Sequence, residues 1–258
     1  MNTRLCNILA LCCAFATAGT RAEEIIIAVA ANFAAPMEAI SQQFERRTGH
    51  KVRLAIGSSG KFFAQIHHGA PFQAFFSADQ AKPAQLERDG LTLPGSRITY
   101  ARGRLVLWSA DPGAVDASGS ALKQGTYHKL AIANPKLAPY GAAALEVLEG
   151  LGLESASRRH RVQGENIAQT FQFVASGNAD LGLVALSQVT RNGKISQGSA
   201  WLVPEDLYSP ILQDAVILES GRNSAAVNAF WQYVQSDAAR KIMESYGYRP
   251  PASAATIQ

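Results

Sequence analysis

Short apolar runs that stop at small or polar residues alternate along the chain with segments whose apolar positions recur every three or four residues. Ile25–Ala30, Val52–Gly57, Ala74–Ala78, Leu105–Trp108, Leu130–Ala133, Arg161–Val162, Leu181–Val184 and Ala215–Leu218 predict strands. Between them, helices are predicted over Pro36–Arg47, with Met37, Ile40 and Phe44 on one face, and over Lys61–His68, with Phe62, Phe63 and Ile66 inward. Further helices are predicted at Pro83–Arg88, around Leu145, Leu148 and Leu151, and over Glu165–Ser176. The chain closes with Val227, Phe230, Trp231 and Val234 on one helical face, then Ile242 and Met243 on another. Strands alternating with helices predict an α/β fold of open, mostly parallel sheets covered on both faces. Two strands, Arg102–Trp108 and Ile211–Leu218, are placed to cross between lobes and act as the hinge. Lobe I is then residues 23–102 with 213–258, and lobe II is residues 103–212.

Two turns between a strand and a helix carry the candidate chemistry. Ala30-Ala31-Asn32-Phe33 follows the first strand, and Gly57-Ser58-Ser59-Gly60 follows the second. A helix N-terminus holds unpaired N–H groups and partial positive charge, so two of them at one sheet edge predict a small-oxyanion site. Such sheets bind ligands beyond the carboxyl ends of their strands, where these turns lie. Taken alone, each turn reads more readily as an ordinary helix cap.

Composition narrows the class. Residues 1–22 read as a secretory signal peptide, with Arg4, an apolar stretch from Ile8 to Ala18 and a small-residue exit at Thr20-Arg21-Ala22. A lipoprotein anchor is disfavoured because Leu11 precedes Cys12 where a small residue is wanted. All three cysteines, Cys6, Cys12 and Cys13, fall in this leader, so the mature chain must fold on a conventional core without disulfides. Arg4 and Arg21 also leave with it, so the 24 Lys and Arg become 22 against 20 Asp and Glu. That balance, without a basic cluster, speaks against a nucleic-acid partner.

Other chemistries find little support. Gly57–Lys61 approaches a phosphate loop but has Ala55 where its first glycine belongs and Phe62 where Ser or Thr should follow the lysine. His67 and His68 point about 100° apart on a helix and do not share a face, so they predict solvated surface rather than a metal site. His128 and His160 read the same way, and Phe62, Phe63, Phe75 and Phe76 read as core. A secreted α/β hydrolase is the alternative of another class, but neither Ser58 nor Ser59 has an identifiable histidine partner. The chain is therefore not read as an enzyme, and no cofactor is expected.

The segments resemble, in order and spacing, the periplasmic molybdate-binding proteins of ABC transporters. The likeness covers about Ile25 to Pro250 and rests on Ala30-Ala31-Asn32-Phe33, Gly57-Ser58-Ser59-Gly60, Gly69-Ala70-Pro71-Phe72, Phe75-Phe76-Ser77-Ala78-Asp79, Pro94-Gly95-Ser96-Arg97, Ala138-Pro139-Tyr140-Gly141, Ala179–Val184 and Tyr246-Gly247-Tyr248. The resemblance implies a two-lobe, type II periplasmic-binding-protein fold with molybdate, and tungstate as a second ligand, in the interlobe cleft. It implies that the oxyanion is held by backbone N–H and a short polar side chain of the first turn, Ala31 and Asn32, by the hydroxyl and N–H of Ser59 with Ser58 beside it, by the backbone N–H of Tyr140 and by that of Ile167. The protein reaches molybdenum only as the bound oxyanion, with no side chain ligating the metal. Some members bring a tyrosine hydroxyl from the segment after Leu183-Val184, where this chain has Ala185. The implied partner is an inner-membrane ABC permease, and the implied form is a periplasmic monomer. The same fold serving sulfate or another tetrahedral oxyanion is the nearer alternative, since sulfate has the same charge and shape. Lys61, the nearest cation, is expected to face solvent or the cleft rim.

Overall fold

Two five-stranded sheets, each wrapped by helices, organise residues 22–251, which are the residues the computed structural model describes. The predicted leader therefore lies outside the described residues except for Ala22.

The first sheet forms from β1 (Glu24–Ala30), β2 (Lys51–Gly57), β3 (Ala74–Phe76) and β4 (Ile98–Gly103), with α1 (Ala34–Thr48), α2 (Ser59–His67) and α3 (Ala81–Arg88) between them. A single residue, Arg104, links β4 to β5 (Leu105–Ser109), which opens the second sheet. There α4 (Ser120–Gln124), β6 (Leu130–Ala133), α5 (Pro139–Gly150), α6 (Glu154–Ser157), β7 (Arg161–Gly164), α7 (Ile167–Ala175), β8 (Leu181–Ala185) and α8 (Leu186–Val189) follow. A small hairpin of β9 (Thr190–Arg191) and β10 (Lys194–Ile195) precedes β11 (Ser199–Leu202). The chain then returns to the first sheet as β12 (Ile211–Ile217) and ends in α9 (Ala225–Val234) and α10 (Asp237–Ser245).

The strand orders are β2-β1-β3-β12-β4 and β11-β5-β8-β6-β7. Each contains a parallel trio, β2-β1-β3 or β8-β6-β7, where the expectation of parallel pairing holds. The other pairings are antiparallel, because β12 and β5 enter directly from the opposite sheet instead of returning through a helix. The sheets are thus mixed, and the two chain crossings fall at the two strand segments expected to cross.

Burial on both faces explains the near-continuous apolar runs. On β1, Ile25, Ile27 and Val29 pack with Met37, Ile40 and Phe44 of α1 and with Phe230 and Trp231 of α9. Ala28, between them, faces the opposite layer with Phe62, Ile66 and Phe75. Phe63 is half-buried, and the other three phenylalanines considered above are core. The second sheet divides its core in the same manner, with Leu105 and Leu107 on one face and Val106 and Trp108 on the other. The short elements α4, α6, α8, β11 and the hairpin escape a periodicity reading because each is too brief to show one, and the predicted Arg102–Trp108 strand covers only the end of β4.

Candidate anion site in the cleft

Four turns meet between the sheets, each at the carboxyl end of a parallel strand. β1 runs into a 3-10 turn at Ala31–Phe33, and its neighbour β2 runs through Ser58 into α2. In the second sheet, β6 leads to α5, and its neighbour β7 leads through Asn166 into α7. Ala31, Asn32, Ser58, Ser59, Tyr140 and Ile167 all line one small cavity, together with Ala78, Ala138 and Asn166. The cavity is small, with room for about one water molecule in this arrangement. That excludes sugars, amino acids and nucleotides.

Caps decide which donors face this cavity. In α2 the Ser58 hydroxyl accepts from Lys61 N–H at 3.3 Å, and Gly60 N–H donates to the Leu137 carbonyl at 2.9 Å across the cleft. In α7 the Asn166 side chain accepts from the N–H groups of Ala168 and Gln169. In α5, Pro139 has no N–H, and Gly141 N–H donates to the Ala138 carbonyl. Among the described residues, the N–H groups of Ala31, Asn32, Ser59, Tyr140 and Ile167 donate to no side chain and to no backbone group outside their own elements. First-turn N–H groups also lack an intrahelical acceptor. The N–H groups of Ser59, Tyr140 and Ile167 are thus left over at the starts of α2, α5 and α7, while the 3-10 turn of Ala31 and Asn32 carries no side-chain cap.

The hydroxyls are arranged similarly. Ser59 Oγ accepts from Ala78 N–H at 2.9 Å, which leaves its own hydrogen to donate. The lining holds no carboxylate and no cation. Lys61 sits beside it, half-exposed, and pairs at 2.9 Å with Glu165 from the other side of the cleft, as expected of a rim residue. His67 lies against Phe63 and pairs with Asp89, His68 is exposed, and the half-buried His160 contacts the His128 carbonyl through its ring. Among the described residues, no group of three His, Cys, Asp or Glu is placed to hold a metal ion.

Asn32 is used differently from the reading that its side chain donates to the anion. Its Nδ2 donates to Gln213 Oε1 at 2.9 Å and to the Tyr248 hydroxyl at 2.8 Å, so both amide hydrogens are engaged behind the cavity. Its carbonyl accepts from Ser187 Oγ and from the Tyr248 hydroxyl. The Tyr140 hydroxyl belongs to the same buried group, accepting from Gln213 Nε2 at 3.2 Å, which leaves the Tyr140 backbone N–H to the cavity. Burial holds the Tyr140 phenol well above its ordinary value, and it pushes Tyr248 up to about 12, so both remain neutral. At Ala185 no hydroxyl is present, and the segment behind it reaches the fourth turn through Gln188, whose Nε2 donates to the Ile167 carbonyl at 2.9 Å.

Gln213, Tyr248, Ser187 and Tyr100 were not legible as site residues. One signal was available: Gln213-Asp214 is a polar pair inside the apolar strand Ile211–Ile217, and both side chains are fully buried.

Comparison with known proteins agrees with this geometry. A family model described as bacterial extracellular solute-binding protein matches residues 25–249. The molybdate-binding protein ModA of Azotobacter vinelandii is 52% identical over 241 residues, covering 93% of this chain and 96% of that one. The ModA of Rhodobacter capsulatus is 49% identical over 227 residues, covering 88% of each. The solved structure of the Azotobacter vinelandii periplasmic molybdate-binding protein superposes with a TM-score of 0.84 at 42% identity, covering 88% of this chain and 99% of that one.

Proposed function

Since the chain belongs to the bacterial extracellular solute-binding protein family, we propose that it captures molybdate in the periplasm and delivers it to an ABC-transporter permease. Tungstate, which has the same charge and tetrahedral shape, is the second ligand of this reading. The observation that carries it is a set of five N–H donors without a partner outside their own elements, all from residues lining one small cavity without a carboxylate.

A tetrahedral dianion without protons can only accept hydrogen bonds. Its desolvation is costly, so each oxygen requires donors. Backbone N–H groups at helix starts and the Ser59 hydroxyl meet that need, while the helix dipoles offset the charge without a lysine or arginine. Members of this family bind and carry rather than catalyse. Among the described residues, the Ser58 hydroxyl meets Lys61 N–H and the Ser59 hydroxyl meets Ala78 N–H.

Two lobes, residues 23–102 with 213–258 and residues 103–212, would close on the ion. Ala31, Asn32 and Ser59 come from one and Tyr140 and Ile167 from the other, so the donor set is complete in the closed arrangement alone. The signal peptide read from residues 1–22 supports export, and a monomer suffices for the site.

Calorimetric titration of the mature protein with molybdate, tungstate and sulfate tests the reading. Tight one-to-one binding of molybdate and tungstate with a far weaker sulfate response is expected. Tight sulfate binding would transfer the site to another cargo, and silence with all three would overturn it.

A further inference from the structure

We propose that Gln213 is a positioning residue for anion capture: its buried carboxamide ties the Asn32 turn of one lobe to the Tyr140 helix of the other, directly behind the cavity. This rests on the functional reading above and adds to it a residue that does not touch the ion.

Gln213 lies on β12, one of the two segments by which the chain crosses between sheets, and its side chain is fully buried. Its Oε1 accepts from Asn32 Nδ2 at 2.9 Å and lies 2.9 Å from the Tyr100 hydroxyl, while its Nε2 donates to the Tyr140 hydroxyl at 3.2 Å. Tyr100 reaches it because the register of β12 against β4 slips here: Gln213 pairs with Ala101 and Asp214 with Thr99, which leaves Tyr100 as the bulged residue. Gly103 completes the arrangement, since a Cβ there would collide with the Tyr140 hydroxyl and with Gln213 Nε2.

One planar carboxamide therefore fixes the separation between two of the turns that aim N–H groups into the cavity. Its link to Asn32 stays within the first lobe, whereas its link to Tyr140 crosses to the second. A buried amide with partners on both sides is costly to leave half-satisfied, so the arrangement favours the geometry in which both turns are in place. Asn32 is held from its other side by Ser187 and Tyr248, and Gln213 is the residue whose one carboxamide bonds both the Asn32 amide and the Tyr140 hydroxyl.

The test uses Gln213→Met, which keeps the length of the side chain and removes its polar atoms, and Tyr140→Phe, which removes the hydroxyl while leaving the backbone N–H. The double variant and wild type are titrated with molybdate in parallel, and unliganded melting is recorded for each. Each single variant is expected to weaken binding by about 5- to 50-fold, the span of one lost hydrogen-bonded link. The double variant should be no weaker than about the poorer single one, because both changes break the same link. Lower Tm with unchanged affinity in Gln213→Met would show a merely structural role and overturn the proposal. Additive losses would also overturn it, since Tyr140 would then be acting on the ion independently. A Gln213→Met protein that fails to fold leaves Tyr140→Phe to decide, and unchanged affinity there overturns the proposal. A wild type silent to molybdate would instead overturn the functional reading and this inference with it.

Discussion

Replacing Gly60 by alanine should move affinity and stability in opposite directions. Gly60 is the second residue of α2, and its N–H donates across the cleft to the Leu137 carbonyl at 2.9 Å. A Cβ at this position would stand 3.0 Å from Leu137 Cα and 3.1 Å from its carbonyl oxygen, closer than carbon atoms pack. Because the obstacle is backbone on the facing lobe, rotating a side chain does not relieve it. The closed form would bear an overpacking cost of about 1–3 kcal/mol, and lobes forced apart would also lose much of a hydrogen bond worth about 0.5–1.5 kcal/mol. In the open form neither cost arises, and alanine favours the helix by up to about 1 kcal/mol over glycine. The expectation is molybdate binding weaker by about 10- to 2,000-fold, with the melting temperature of the unliganded protein equal or higher. Calorimetry and unliganded thermal melts read the two quantities separately. Wild-type affinity in Gly60→Ala would refute the reasoning, because the contact between α2 and Leu137 would then be no part of the bound state.

Three further outcomes follow from the same geometry. Ser59→Ala should weaken molybdate binding by about 1.5–3 kcal/mol, the range for a hydrogen bond to a charged group, and lower Tm because Ala78 N–H loses its acceptor; unchanged affinity removes Ser59 from the site. Lys61→Ala should change affinity by about fivefold or less at low salt and still less at high salt, because the pair with Glu165 is half-exposed; a larger loss that persists in salt would make Lys61 a direct ligand. Urea-unfolding stability should hold up to about pH 10 and fall from there to about pH 12. Unfolded tyrosine ionises near 10 while folded Tyr248 keeps its proton to about 12, so its share is about 2–3 kcal/mol; a flat profile across that window would contradict its burial.

Local pattern carried the frame well and the back of the site poorly. The strand runs and the Met37, Ile40, Phe44 and Val227, Phe230, Trp231, Val234 faces were readable because each is defined by residues a few positions apart. The first two turns were readable for the same reason, since Ser58 caps the helix beside it; the turns at Tyr140 and Ile167 entered through the family resemblance alone. The lobe exchange was visible because β5 and β12 are apolar runs without the helix that a parallel return needs. By contrast, Asn32 meets Gln213 181 positions away and Tyr248 216 positions away, and no local rule links them. Asn32 therefore read as a donor to the anion when its amide is engaged behind it. The bulge that presents Tyr100 to Gln213 depends on the register between β4 and β12, which the sequence of either strand leaves open.

The most direct test of the account is a crystal structure of the molybdate complex, with data collected at the molybdenum absorption edge to locate the metal. The account predicts one anomalous peak between the four turns, with the oxygens within hydrogen-bond distance of the N–H groups of Ala31, Asn32, Ser59, Tyr140 and Ile167 and of Ser59 Oγ. A peak elsewhere, or oxygens held by Lys61 or another side-chain cation in place of those N–H groups, would contradict it.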